Sequence, residues 1–555
     1  MTYDIQTITG TALLPSVTLK AGDLTCMYET GKLRYIRKGN TELLRNIYIA
    51  VRNEHWGTLP YIIEGEEINA GENAFSISYS AIFGQPDPVY KMICSIVGNP
   101  AGTIAYAVKG EALRAFKKNR IGICIHHPIK DCSGRSVLIE RPDGSRYESV
   151  FPELVSPQQP FVEIRNMQWT TPENSTVGLF FEGDIFETED QRNWSDSSFK
   201  TYSTPLSIPF PVTVQRGDVI EQKITLSVSG GNGLAGETLL AGSEEKIPFP
   251  LVGYCRSSNT PLTDEALLHL QKIPFHHYRV TLMMDEPAWR QQLKTSLAEA
   301  RQLHTRLELV VFLQADYHES LQALLSLLRL QQNWLYSILV LQKDQPVTPP
   351  DLITGAYHLI KKDLPGVLIG YGTDQFFADL NRNRPGNTLF DFVSFHLHPQ
   401  VHASDTRSIL ENLENQADLV ETAKNFPGGK PVFLSPVTFK DRNAPPDERQ
   451  HTGLAAWWTL MSLQQLAGAG SITYYELMGK DGLLLAGEDQ PENAAPNLQP
   501  SPLYKALAAI HAFQPVWIIK KINDGTFSPD SLVLEDAAGR RLAFIAPEEW
   551  QRFNK

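Results

Sequence analysis

Residues 307–342 read LELVVFLQADYHESLQALLSLLRLQQNWLYSILVLQ. Two strand-length apolar runs, LELVVFLQ (307–314) and LYSILVLQ (335–342), enclose a helical pattern, ESLQALLSLLRL (319–330). A strand that is apolar along its length is covered on both faces, as in a parallel sheet with helices packed outside it. The same alternation continues in both directions. Before it lie PLVGYC (250–255) and HYRVTLMMD (277–285); after it come GVLIGYGTD (366–374), FDFVSFHLHP (390–399), PVFLSPVTF (431–439) and SITYYEL (471–477). Helix-length segments such as PAWRQQLKTSLAEARQL, SILENLENQADLVETAKNF and GLAAWWTLMSLQQLAGAG separate them. Eight strand–helix units in about 260 residues predict a (β/α)8 TIM barrel. A doubly wound sheet is disfavoured, because neither GxGxxG nor GxxxxGK[ST] occurs.

Up to about residue 243 the texture differs: short alternating runs such as AFSISYSAIFG and TIAYAVKG are punctuated by turn residues. They predict an N-terminal antiparallel β-sandwich, with Asp-Gly of PDGS (142–145) at one hairpin tip. After the last helical pattern, VWIIKKI, LVLED and RLAFIAP supply a small C-terminal β appendage, or strands that complete the sandwich. The expected domains are a sandwich over 1–245, a barrel over 246–514 and the appendage over 515–555.

The 555 residues exceed what one core serves, and a net charge of −12 without a basic stripe argues against nucleic acid or an anionic membrane as partner. Five cysteines without CxxC spacing argue against a disulfide framework or a thiolate zinc site. MTYDIQTITG lacks the character of a signal peptide, and no apolar stretch reaches the roughly 18 residues of a membrane span, so a cytoplasmic protein is expected.

Barrel active sites form at the carboxyl ends of the strands. His396 and His398, two apart on one strand, share a face there and can bind a metal, shuttle protons, donate to an oxyanion, or simply shape a loop. A metal needs a third ligand from Asp374, His402 or Glu476, and with no HExxH the expectation is no metal and no cofactor. Glu476, beside Tyr474 at the last strand, is either an acid–base group or a strand-end ion-pair partner. Asp374 stands at the mouth after the fifth strand, and Asn381 and Arg382 follow a short helix, where they suit polyols and carboxylates or cap the helix. The carboxylate pair of the largest glycosidase clan is missing: the fourth strand ends in Gln342 and the seventh in LSPVTF. No GxSxG nucleophile motif is present.

One segment outside the barrel is unusually polar: FFEGDIFETEDQRNWSDSSFKTYSTPL (180–206). Together with RNIYIAVRNEHWGTLP (45–60), IHHPI (125–129), FPELVSPQQPF (151–161), GTDQFFADLNRNRP (372–385) and SFHLHPQVHASD (394–405), it closely resembles the D-apionate lactonase family. The resemblance runs from about residue 45 to about residue 480. It implies a bacterial hydrolase that opens the small sugar lactone D-apionolactone to D-apionate.

Lactone opening needs a base for water, donors for the oxyanion and a proton for the alkoxide. Glu476 or Asp374 is the expected base, with His396 and His398 as oxyanion donors and acid. Asp285, Asn381 and Arg382, with Glu189, Asp190, Arg192, Asn193 and Lys200, are expected to hold the sugar, the polar segment reaching over the barrel mouth. The competing reading of that segment is an interdomain ion network. Two other functions stay open: a glycoside hydrolase acting on a pentosyl linkage, for which two acids in the mouth, for example Asp285 and Glu476, would have to face one another, and a catalytically silent carbohydrate-binding barrel.

Overall fold

A computed structural model describes residues 2–4, 14–231, 243–256, 261–474, 476–479, 481–486, 498–522 and 531–545. The chain divides into two compact units: Ala12–Arg192 with Ser197–Thr238, and Met1–Thr11 with Asn193–Asp196 and Leu239–Lys555.

The first unit consists of two nine-stranded sheets. Their inner faces share one core, in which Leu33, Ile47 and Ile121 of one sheet join Tyr79, Tyr90 and Leu226 of the other. Period-two burial is clear in Tyr90–Asn99, where every second residue is buried, as a half-buried strand requires. The PDGS hairpin forms, pairing Ser136–Glu140 with Arg146–Val150. In the other sheet Phe186–Asp190 and Ser198–Tyr202 pair antiparallel, and the residues between them begin a short 3-10 turn, Gln191–Trp194.

The second unit contains a closed barrel of eight parallel strands: β1 Leu251–Cys255, β2 His277–Met283, β3 Arg306–Leu313, β4 Leu335–Gln342, β5 Leu368–Phe376, β6 Phe392–Leu397, β7 Val432–Val437 and β8 Ser471–Tyr474. All eight coincide with the apolar runs of the sequence. Helices α1 Asp264–Leu270, α2 Trp289–Gln302, α3 His318–Leu328, α4 Pro350–Asp363 and α5 Phe377–Arg382 follow the first five strands. Then come α6 Thr406–Glu411, α7 Gln416–Lys424, α8 Gly453–Gln465 and α9 Pro502–Phe513. The α2 stripe of Trp289, Leu293, Leu297 and Ala300 is buried, the spacing of one helical face.

The C-terminal strands do not complete the sandwich. Pro515–Ile522 pairs with Ser243–Pro248, and Arg541–Ile545 pairs with Thr2–Asp4, giving a five-stranded sheet that belongs to the barrel's unit. Barrel closure explains the first pairing. Because β1 hydrogen-bonds to β8, the segment that enters β1 and the one that leaves α9 emerge near each other.

Two departures from regular strand geometry shape the mouth. The β5–β6 register slips between Gly372 and Phe376, a bulge that re-aims Asp374. A Cβ on Gly372 would lie 2.0 Å from the Ser394 carbonyl oxygen, so only glycine allows β5 to approach β6 this closely. The last strand ends at Tyr474, so Glu476 belongs to the loop beyond β8 rather than to the strand.

Candidate active site

The barrel interior carries charge. Glu308 of β3 accepts from Ser435 of β7 and from Thr473 of β8 (2.9 Å), and lies 3.2 Å from His277 of β2. Arg279, next along the same face of β2, is 3.7 Å from Glu308 and 2.5 Å from Asp374 of β5. Arg442, in the loop after β7, donates to the other Asp374 oxygen (3.2 Å) and to the Asp374 carbonyl (3.0 Å). Glu308, Arg279, Asp374 and Arg442 thus alternate in sign, with side-chain exposure rising outward through 3, 4, 11 and 20%. Each charge is compensated by the next, as buried ions require. Burial works to raise the Glu308 pKa, yet its bonds to His277, the Arg279 charge and Ser435 outweigh it and hold the carboxyl below its usual range. Arg279 is pushed upward: burial opposes its charge, and the Asp374 and Glu308 carboxylates outweigh burial.

Two imidazoles stand beside this ladder. His396 and His398 are 4% and 1% exposed, with ring centroids 5.2 Å apart and Phe376 against both at 5.1 and 5.2 Å. His398 Nδ1 accepts the backbone N–H of Gln400 at 3.2 Å, which leaves the ring proton on Nε2. That Nε2 is buried and has no hydrogen-bond partner among the described residues. Burial lowers the His398 pKa to about 4 despite the opposing pull of Asp441 and Asp196, so the ring is neutral at pH 7. His396 is driven well below the usual histidine range, first by burial and then by Arg442, His398 and Arg279.

Asn193–Asp196 is grouped with the barrel's unit, and its contacts there are specific. Asn193 accepts from Asn381 at 2.9 Å, and Arg382 stacks over Trp194 at 5.4 Å. Trp194 meets Phe376 edge-on at 5.6 Å and His402 at 6.2 Å. His402 Nδ1 donates to Asp196 Oδ2. Asn412 and Asn415 bind Asp196 through its Oδ1 (3.1 Å) and its carbonyl (2.8 Å). The arrangement at the mouth is a set of oriented donors, paired charges and aromatic edges, which suits a polyhydroxylated ligand with a reactive carbonyl.

Residues 5–231 match the N-terminal domain model of D-apionate lactonase, and residues 253–515 match its TIM barrel domain model. The chain belongs to the D-apionate lactonase family. A D-apionate lactonase of Brucella anthropi is 27% identical over 522 residues, covering 85% of this chain and 84% of that protein. Among solved structures, an α-L-arabinofuranosidase from Thermotoga maritima aligns with TM-score 0.41 and 11% identity, over 54% of this chain and 83% of its own. A family 51 α-L-arabinofuranosidase from Bifidobacterium longum aligns with TM-score 0.39 and 10% identity, over 54% and 82%.

In this lactonase-family chain, the sequence-predicted residues do not all come together. Asp374, His396 and His398 lie together, and Asn381, Arg382 and Asn193 meet Asn193–Asp196 or belong to it. Glu189, Asp190, Arg192 and Lys200 are in the sandwich unit: Arg192 pairs with Asp190 at 2.8 Å, both fully buried, and Lys200 pairs with Glu189 at 3.2 Å. Arg192 also donates to the Glu153 and Pro152 carbonyls, both at 2.8 Å. Asp285 is exposed and paired with Lys343 at 2.7 Å. Glu476 is buried, one carboxylate oxygen lying against Gly479.

Arg279, Glu308 and Arg442 are additions that strand-end reasoning did not reach, and His402, expected only as a candidate metal ligand, instead pairs with Asp196. A signal for two of them was present: Arg279 and Glu308 are lone charges inside the apolar runs HYRVTLMM and LELVVFL. Among the described residues, no group of three or more His, Cys, Asp or Glu side chains is arranged to hold a metal ion. No helix of the described residues is long and apolar enough to cross a membrane.

Proposed function

We propose that the protein is a lactonase that hydrolyses D-apionolactone to D-apionate at the mouth of the barrel. Family membership supports the reaction class. The observation that carries the chemistry is His398, a buried neutral imidazole whose proton is fixed on an unpartnered Nε2.

Water is activated by His402. Its Nδ1–H is spent on Asp196, which leaves the basic lone pair on Nε2 and orients the ring. As the water oxygen bonds to the carbonyl carbon, His402 takes a water proton. The carbonyl oxygen becomes an oxyanion, which the His398 Nε2–H stabilises with the Arg442 charge. Collapse breaks the ring C–O bond, and His402 returns the proton to the departing alkoxide. The resulting acid ionises and releases one proton to solvent. Asp374, with both oxygens engaged by guanidinium groups, is poorly suited as the base and instead fixes Arg279 and Arg442.

Proton release from D-apionolactone and aryl release from p-nitrophenyl pentosides, measured in parallel, test this reading. Proton release alone is expected, and a chelator should leave it unchanged. His398→Gln and His402→Gln should each lower kcat by roughly 100-fold, the scale of losing one oxyanion donor or a proton-transfer group. Glu476→Gln should stay within a few fold. Aryl release without lactone turnover refutes the lactonase, and a dead Glu476→Gln beside an active His402→Gln transfers the base role to Glu476.

A further inference from the structure

Five rings follow one another along the mouth of the barrel. His396 and His398 lie against Phe376 at 5.1 and 5.2 Å, Phe376 lies 5.6 Å from Trp194, and Trp194 lies 6.2 Å from His402. The two histidines at the end of β6 are buried, whereas Phe376, Trp194 and His402 are half-buried, so solvent reaches the outer part of this arc. Three partners fix the indole: Phe376 and His402 at interplanar angles of 63° and 83°, and the guanidinium of exposed Arg382 at 5.4 Å from the ring. The flanking residues are held as well, Asn193 by Asn381 and Asp196 by His402, Asn412 and Asn415. An apolar surface that is already rigid loses little freedom when a ligand settles on it.

The order of the rings decides what meets them. In the lactonase reading His398 donates to the carbonyl oxygen and His402 serves the water that attacks the carbonyl carbon, so the carbonyl stands between these two side chains. Phe376 touches the first and Trp194 the second, and the two aromatics touch each other. The remainder of a small lactone ring therefore lies against the Phe376–Trp194 pair. A five-membered sugar ring carries C–H groups that pack on aromatic carbon, while its hydroxyls stay at the periphery in contact with water or polar side chains. Opening the ring destroys that surface and adds a carboxylate that neither aromatic can meet, so the product is held less tightly than the lactone.

We infer that Trp194, held by Phe376 and Arg382, is the stacking platform for the C–H surface of a five-membered sugar-lactone ring and determines the preference for a ring over an open chain. Arg382 is a positioning residue that acts through the indole. The identity of the ligand rests on the lactonase reading, whereas the ring preference is measured without turnover.

The probes are 1,4-anhydroerythritol and erythritol, a five-membered ring and an open chain with the same carbon skeleton and no ester. In NMR titrations of the full chain the ring should bind about tenfold more tightly than the chain, the scale of one aromatic stack. Trp194→Ala should abolish that difference, and Trp194→Phe should retain most of it. Ring binding should quench tryptophan fluorescence in the wild type but not in Trp194→Phe. With D-apionolactone, Trp194→Ala should raise KM about tenfold and lower kcat much less; a merely structural loss would instead lower kcat through His402 and leave the ring preference intact. Should Trp194→Ala fail to fold, the fluorescence of Trp194→Phe against the wild type decides. Equal binding of ring and chain to the wild type, or an unchanged preference in folded Trp194→Ala, overturns the platform. Trp194-dependent ring binding without lactone turnover leaves the platform standing and refutes the lactonase.

Discussion

Arg192 illustrates how a residue's type and its role can part. In the sequence it belongs to a polar run that looks built for a ligand. In the fold it is fully buried, neutralises Asp190 and binds two carbonyls of the 152–153 stretch. Breaking a buried ion pair by removing one partner costs about 3–5 kcal/mol. Arg192→Ala should therefore lower the thermal midpoint by several degrees while turnover per folded molecule stays unchanged; thermal melts combined with active-site titration decide it. A loss of turnover at full stability would return Arg192 to ligand binding. The positions of Asp374, His396 and His398 near the carboxyl ends of β5 and β6 were legible because both strands are apolar runs. Arg442 was not, because it lies in a loop, where nothing in the local pattern says which carboxylate it will meet.

At the scale of elements, the β5–β6 contact holds Asp374 and the two histidines in register. Glycine at 372 lets the strands approach, and the bulge that follows sets Phe376 opposite His396. Gly372→Ala should force the strands apart at the mouth, lowering both the thermal midpoint and turnover per folded molecule. Gly386→Ala is the control, since a Cβ there meets nothing within 4 Å. If both variants behave like wild type, the close approach does not matter for the site. The strands themselves were readable from apolar runs and their spacing. The bulge and the placement of Glu476 outside β8 were not, because register is set by the neighbouring strand rather than by the residue's own segment.

For the whole molecule, buried and half-buried histidines set a pH limit. Burial lowers the pKa of His127 to about 3 and those of His276, His398 and His511 to about 4. Above the unfolded value near 6.5 both states are neutral and stability is unaffected. As pH falls from there toward 4, the unfolded chain binds protons that the folded chain refuses, so stability drops across that window. Thermal midpoints should fall steadily between pH 6.5 and 4, with a shallower slope in His127→Gln. A flat profile would mean these rings are protonated in the folded protein.

The sequence by itself determined the two architectures, the eight barrel strands and the position of Asp374, His396 and His398 near strand ends, because apolar periodicity and strand ends are local properties of the chain. Only the tertiary structure decided that Arg279 and Glu308 compensate each other inside the barrel, that Pro515–Ile522 pairs with Ser243–Pro248, and that Asp196 orients His402. That last pair lies 206 residues apart in sequence, and a contact across such a separation is fixed by packing, which no local pattern encodes.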